Sequence, residues 1–556
     1  MLTALALGNF KAFGSTQQIP LKPVTLVFGP NSAGKSSLIH SLALAHEAQR
    51  SGNLDAFRTD VGGTSIDLGG FRQYVFQRDA ARRVEWSAEI DVAKLTGRLG
   101  ELLAPIHFAS VFISFGLPLD DLGSPLPGKS PSLATYEMLG DGQTLLRMSQ
   151  RRDGRLRLDR LASEHPVFRK VLKAIVETST TTTDIRAEDQ MALDGAIGEL
   201  IPQLLVKPGR FLPAGIETST EAAEIGAADA MLFPVGRGTR SEDLAGAVRF
   251  YLPRILNELI RGLDGIIGEQ IDRLQYLGPL RSYPPRHLAF SEHDDANWRA
   301  GGGYAWDVLR RNHPVRERVN AWLGAEWLQT HYEVLVRDLV PLNQLEEPLT
   351  TGLERIASDG GLDIEPDYDR DPIPEGVVPV IKDPEAEARR LIDQIATSNI
   401  DRLPELVLVD RRTDTVVSHR DVGIGISQVL PVLVSCYALR DQIIAIEQPE
   451  IHLHPALQSE LADVFLQSAL GGQGNRFILE SHSEHLILRV LRRVRETAEN
   501  ELPKTAVPVK PSDVAVLYIE PTSEGARVVD IPVTEQGDFA RPWPQGFFAE
   551  RIKELV

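Results

Sequence analysis

The chain has 556 residues, more than one compact core usually holds, so one large unit with sizeable insertions is expected. Its net charge of −18, from 59 Lys and Arg against 77 Asp and Glu, disfavours a protein that coats nucleic acid over its whole surface and leaves room only for a local basic groove. The single cysteine, Cys436, lies in an apolar run and excludes both a disulfide framework and a thiolate metal site.

No apolar stretch reaches membrane-spanning length, and Met1 runs straight into a strand-like segment without a leader pattern. A cytoplasmic protein is the expectation. In chain order, Leu2 to Phe13 and Gln17 to Leu21 read as a hairpin. The apolar run Val24 to Phe28 reads as a strand. Behind it, Gly29-Pro30-Asn31-Ser32-Ala33-Gly34-Lys35-Ser36 satisfies the pattern G-x-x-x-x-G-K-[ST] in full. Ser37-Leu38-Ile39 then opens a helical pattern that runs to about Arg50.

That strand–loop–helix setting gives the motif its chemistry. Glycines let backbone N–H groups turn onto phosphate oxygens, and the helix N-terminus adds a positive dipole end. Lys35 can reach the β- and γ-phosphates, and the Ser36 hydroxyl can ligate Mg²⁺. Gly29, Asn31, Ser32, Ala33, Gly34, Lys35, Ser36 and Ser37 are therefore the expected nucleotide contacts, with ATP and Mg²⁺ as cofactors. An ordinary glycine-rich turn is the competing account, and both flanks speak against it.

Asp67 to Phe71 reads as a turn, and Val84 to Val92 alternates as a strand does. Residues 1–94 thus hold the first part of the nucleotide-binding unit. Residues 95–270 read as a mainly helical insertion, with a Gly-, Ser- and Pro-rich loop at 116–132 and a polar linker from Thr178 to Asp184. Its clearest helix follows Ser241. Apolar residues from Leu252 to Leu274 recur mostly at three- and four-residue steps, a stripe about 33 Å long that is expected to be core. Residues 345–390 are acidic and Pro-rich and read as an exposed insertion.

Residues 271–556 hold the second part of the unit. Ile443 to Ile446 is a short buried-strand signal ending in Glu447, where a Mg²⁺-orienting carboxylate belongs. Gln448-Pro449-Glu450-Ile451-His452-Leu453-His454-Pro455 follows. Upstream, Asp421-Val422-Gly423-Ile424-Gly425-Ile426-Ser427-Gln428 is a glycine-rich turn at a helix start, a second phosphate-binding end. Downstream, Arg476 to Leu479 reads as a strand and leads into Glu480-Ser481-His482-Ser483-Glu484-His485.

This order of motifs resembles the ABC-type ATPase heads of the RecF, structural-maintenance-of-chromosomes and overcoming-lysogenization-defect (OLD) groups. Asn9-Phe10-Lys11-Ala12-Phe13, Tyr276-Leu277-Gly278-Pro279-Leu280-Arg281 and Trp543-Pro544-Gln545-Gly546-Phe547-Phe548 resemble a prokaryotic OLD-like subgroup often found beside phage-defence effectors. The resemblance covers residues 1–95 and 270–556. It implies an α/β fold, with a P-loop sheet flanked by helices. It also implies a homodimer or higher oligomer whose heads pair head-to-tail around two nucleotides, and an effector protein in trans, a nuclease or toxin.

On the same resemblance, Gly425, Ser427 and Gln428 would meet the γ-phosphate held by the other subunit, and His482 would sense it. Gln73 or Gln77 would couple nucleotide to the rest of the protein. Ser36 and Glu447 would hold Mg²⁺. One departure stands out: the usual Asp-Glu pair is Glu447-Gln448 here. A glutamine cannot take a proton as a carboxylate does, and a positioned base contributes about 10²–10⁴-fold. Either Glu450 or His482 partly substitutes, or hydrolysis is slow, which suits a switch better than a motor.

Other features carry less. His452 with His454, and His482 with His485, lack further ligands at metal spacing. His419-Arg420-Asp421 mimics a kinase triplet without its companions. Arg281, Arg286, Arg310 and Arg311 around Tyr283 form a basic cluster for nucleic-acid phosphate or for ion pairs within the lobe. Trp543 to Phe548 reads as a hydrophobic tuck. No nuclease constellation is visible, so cutting residues are expected on another chain. Two rival functions remain open: a DNA repair or recombination ATPase acting on DNA directly, and a scaffold that binds ATP without turning it over.

Overall fold

The computed structural model describes residues 1–179, 187–218, 239–281, 297–324, 327–358, 362–363, 380–381, 383–417 and 422–544. His419-Arg420-Asp421, Tyr283, Arg286 and Gln545 to Phe548 lie outside them, as does most of the Thr178 to Asp184 tract. The chain forms two compact units. The first comprises Met1–Ser282, Asp294–Ala305 and Gly423–Val556; the second comprises Tyr283–His293 and Trp306–Val422.

The first unit is built on two sheets. One is a nine-stranded antiparallel sheet made from β1 (Leu2–Gly8), β2 (Gln17–Pro20), β4 (Val84–Asp91), β5 (Phe108–Gly116), β6 (Ser132–Gly140), β7 (Gln143–Gln150), β8 (Leu156–Leu161), β9 (Leu204–Lys207) and β10 (Gly215–Thr218). Its order is β10-β9-β8-β7-β6-β5-β4-β1-β2. Strands β4 and β6 alternate buried and part-buried residues, the pattern of a sheet with one covered face.

The other sheet has β11 (Leu274–Leu277), β17 (Ile443–Glu447), β18 (Arg476–Glu480), β3 (Val24–Phe28), β19 (Val514–Thr522) and β20 (Gly525–Asp530), in that order. All neighbours pair in parallel except β19 and β20. Every residue of β3 and β17 is buried. Continuous apolar runs of this kind fit a parallel sheet covered on both faces.

The helices of this unit follow in chain order. They are α1 (Lys35–Ser51), the short α2 (Phe71–Tyr74) and α3 (Gly97–Leu103), α4 (Pro166–Ser179), α5 (Ala187–Leu200), α6 (Arg240–Asp272) and, after the second unit, α11 (Ile424–Ala438), α12 (Pro455–Leu470) and α13 (Glu484–Ala498). The stripe expected after Ser241 is α6, and it is core: Leu252, Leu256, Leu259, Ile260, Leu263 and Ile267 are at most 1% exposed. Each such burial is worth about 1.5–3 kcal/mol.

Residues 95–270, read as a mainly helical insertion, hold strands as well as helices. Besides their helices they supply six strands, β5 to β10, that extend the sheet begun by β1, β2 and β4. The hairpin signal is local: Asp141-Gly142 joins β6 to β7 with φ of 45° and 76° at the two residues. An Asp-Gly pair of that geometry matches the twist of a tight hairpin. The strands' alternation is diluted by charged residues on the open face, which is why the apolar stripes of the helices dominate the sequence.

The second unit also departs from expectation, since it takes residues that had been assigned to one continuous C-terminal part. From Trp306 onward it contains the rest of α7 (Tyr304–Arg311), α8 (His313–Leu323), α9 (Glu346–Ser358) and α10 (Pro384–Thr397). Its three-stranded antiparallel sheet joins β12 (Tyr332–Leu339), β15 (Leu403–Asp410) and β16 (Thr415–Val417), and β13 (Leu362–Asp363) pairs with β14 (Val380–Ile381). Of the acidic stretch 345–390, α9 and the start of α10 are described, and residues 364–379 lie outside the described residues. No helix among the described residues is long and apolar enough to cross a membrane.

Candidate active site

Strands β3, β17 and β18 bring their carboxyl ends to one edge. The register pairs Glu447 with Glu480, and Glu480 with Val27 just before the cradle. Ligands of open α/β sheets bind at this edge. The cradle itself needs its glycines. Gly34 has φ of 101°, and a Cβ there would lie 2.3 Å from Ala12 Cβ; Gly29 has φ of 148°, with a Cβ 2.6 Å from the Ile519 carbonyl oxygen. Helix α1 begins at Lys35, so its first N–H groups face the loop.

Lys35 is buried and folds back on its own loop. Its Nζ donates to the carbonyls of Gly29 (3.2 Å) and Pro30 (3.1 Å) and lies 3.8 Å from Glu480 Oε1. The Ser36 hydroxyl donates to Glu480 Oε2 at 2.7 Å. Glu447 Oε1 accepts from the Tyr276 hydroxyl at 3.1 Å and lies 3.5 Å from His40 Nε2. On its other side His40 Nδ1 is 2.6 Å from Lys11 Nζ. Glu450 Oε1 accepts the backbone N–H of His482 at 2.7 Å. Three carboxylates and two lysines therefore share one buried pocket edge.

Burial dominates the electrostatics. It pushes Glu480 up to about 7, reinforced by the neighbouring Glu447 charge. Burial also raises Glu450, and it lowers Lys11 to about 8 and Lys35, His40 and His482 below their ordinary values. The Tyr276 hydroxyl is held protonated by burial and by Glu447. A carboxyl raised in the folded state favours its protonated form, so it stabilises the fold below its ordinary value of 4.5 and that contribution is lost as pH rises through about 7. Glu480→Gln in metal- and nucleotide-free buffer is therefore expected to gain stability over the parent between pH 5 and pH 8, by on the order of 1–3 kcal/mol. Melting curves across that range check it; a difference that does not change with pH rejects it.

The other expected site residues are distributed as follows. Gln448 is half-buried with φ of 47°; its N–H donates to the Glu480 carbonyl at 2.8 Å. Gly425, Ser427 and Gln428 lie in α11, which starts at Ile424. Ser427 is 3% and Gln428 5% exposed in this single chain, so neither side chain stands on the surface. Gln73 and Gln77 are both exposed, and Gln77 Oε1 accepts from Arg82. His454 caps α12, its Nδ1 accepting the Ala456 N–H at 3.3 Å.

Within the basic cluster, Arg281 is engaged inside the lobe. It is 5% exposed, and its guanidinium donates to the carbonyls of Gln428 (2.9 Å) and Gln448 (3.1 Å). It ties the glycine-rich helix to the carboxylate strand and offers no free charge to nucleic acid. Arg310 pairs with Asp307 at 3.2 Å. Trp543 does tuck inward, its ring 5.5 Å from Phe28 and 5.0 Å from Phe539. Cys436 is fully buried.

Sequence reasoning passed over Glu480, Lys11, His40 and Tyr276. Glu480 carried a usable signal, an apolar strand ending in a carboxylate, the same one that located Glu447. Lys11, His40 and Tyr276 had none, because only the fold brings them to Glu447.

Residues 267–489, under half of the chain, match the family described as "AAA domain, putative AbiEii toxin, Type IV TA system". The matched stretch carries β17 and β18, and the cradle strand β3 lies in the same sheet, parallel to β18 on its other side. The fold is an α/β ATPase head of the ABC type. Distant likenesses among solved structures are also heads. One is an Smc head bound to the C-winged helix domain of ScpA, at 10% identity over 96% of this chain and 98% of that one, with TM-score 0.33. Another is the Smc head with an extended coiled coil bound to the C-terminal domain of ScpA derived from Pyrococcus furiosus, at 10% identity, 100% and 98% coverage and TM-score 0.32. A third is the SMC head domain from Thermotoga maritima, at 9% identity, 96% and 99% coverage and TM-score 0.32. No curated protein matches.

The donor set of this ATPase head fits Mg²⁺: a hydroxyl and carboxylates, all hard oxygens. Among the described residues no group of three or more His, Cys, Asp or Glu is placed to hold a metal alone. An ion there would arrive with phosphates, which is the usual habit of Mg²⁺.

Proposed function

We propose that the chain binds and slowly hydrolyses ATP, closing as a dimer around the nucleotide and so gating an associated effector, a nuclease or toxin of antiviral defence. The observation that carries the ATPase part is the convergence of Lys35, Ser36, Glu447 and Glu480 where adjacent parallel strands end. In this reading the cradle N–H groups and Lys35 hold the phosphates, and Ser36 with a carboxylate holds Mg²⁺, which supplies charge neutralisation at the transferring phosphoryl group. Buried donors fixed before reaction lower the barrier without reorganising.

Water attack needs a proton acceptor, and Gln448 cannot be one. Glu450, which accepts the His482 N–H, and His482, which follows β18, are the candidates to substitute for it in part, and His482 would also sense the γ-phosphate. The effector and the defence role rest on resemblance alone. Gln448 also favours a second reading, an ATP-binding scaffold with no turnover.

Phosphate release from ATP, measured beside Lys35→Ala and Glu447→Gln with oligomeric mass in the same samples, separates the two. Slow release lost in both variants, with an ATP-dependent gain in mass, supports the gated switch. ATP binding without release above the variants supports the scaffold. Turnover of roughly 1–10³ per second rejects the slow switch.

A further inference from the structure

Resting on the ATP-binding reading above, we propose that Glu480, the last residue of β18, is the carboxylate that directly ligates Mg²⁺ beside Ser36. Glu447 was the expected one. The Ser36 hydroxyl and Glu480 Oε2 are 2.7 Å apart. Neighbouring ligands on an octahedral Mg²⁺, with bonds of about 2.0–2.1 Å, sit about 3 Å from each other. The two oxygens thus already stand close to one edge of that octahedron, and the hydroxyl has only to turn its proton aside.

Glu447 is differently engaged. Its Oε1 takes the Tyr276 hydroxyl and faces His40, and among the described residues it makes no bond to Ser36. Backbone bonds fix Glu480 in place: its carbonyl accepts the Gln448 N–H, and the next residue's N–H donates to the Val27 carbonyl at 3.1 Å. Burial, the Ser36 hydroxyl on one oxygen and Lys35 near the other hold the carboxylate at the end of its paired strand. Lys35 lies 3.8 Å from its second oxygen.

The test uses the full chain and a fluorescent ATP analogue, titrated with Mg²⁺ and with EDTA, in the parent, Glu480→Gln and Glu447→Gln. Each variant's metal-free affinity certifies its fold. The parent is expected to bind about tenfold more tightly with Mg²⁺, Glu480→Gln to lose that gain to within about twofold, and Glu447→Gln to keep it. Mn²⁺ substituted for Mg²⁺ gives an independent readout, since its resonance spectrum in the nucleotide complex reports bound ion without turnover. A Mg²⁺ gain kept in Glu480→Gln and lost in Glu447→Gln overturns the assignment. A parent that binds no ATP at all overturns the ATP-binding reading instead.

Discussion

Lys35→Ala is expected to weaken ATP binding by at least about 10²-fold, because it removes charge-assisted bonds to two phosphates worth roughly 1.5–3 kcal/mol each. Lys35 has few alternatives: its ammonium is buried and, among the described residues, held by the Gly29 and Pro30 carbonyls and by Glu480. Phosphate oxygens compete well for such a donor. The substitution is not expected to unfold the protein. Without Lys35, Glu480 is pushed further above its present value of about 7 and takes a proton. Isothermal titration with ATP and a melting curve on the same sample check both halves. Unchanged affinity would refute the cradle assignment.

The largest stability effect is expected away from the nucleotide edge. Asp463 on α12 accepts a two-pronged bond from Arg493 on α13, with Oδ1 to Nε at 2.7 Å and Oδ2 to Nη2 at 2.8 Å, and Oδ2 also takes Arg489 at 2.6 Å. Asp463 and Arg493 are 4% and 6% exposed. Asp463→Ala leaves a buried guanidinium short of its partner and is expected to cost about 3–5 kcal/mol. Asp463→Leu with Arg493→Met should recover most of that loss, since a well-packed apolar pair of similar volume is often as stable. Urea denaturation of the three proteins measures both; a double variant as unstable as the single one would show that packing and not charge is at stake. The pair matters to the site because Ser483 caps α13 and donates to Gln458 of α12 at 2.6 Å, just after His482.

How much of this was legible in the sequence follows from where each signal resides. The cradle and its two flanks are local, so Val24 to Ser51 could be read directly. Strands β17 and β18 are short apolar runs ending in a charge, equally local. The long antiparallel sheet was hidden because one face of strands such as β6 and β7 is only partly covered, which leaves Glu137 and Arg147 among their apolar residues. Asp141-Gly142 and Asp153-Gly154 were the available clues to its turns. The second unit was hidden for another reason: its acidic, Pro-containing stretch reads as exposed chain, and only part of that stretch, in α9 and the start of α10, lies among the described residues. Within the site, long-range partnerships such as Lys11 with His40 and Tyr276 with Glu447 cannot be read from spacing.

The pairing of Glu447 with Glu480 has a consequence for how this protein can change in evolution. Both carboxylates reach the same edge only because β17 and β18 run in register from Ile443 and Arg476. In a strand, one inserted or deleted residue turns every later side chain to the opposite face. Point substitutions along either strand can be absorbed by repacking, but a single-residue length change in one strand would send its glutamate away from Ser36 and Lys35 while leaving an apolar, foldable sheet. Related chains should therefore hold the count of residues within these two strands fixed.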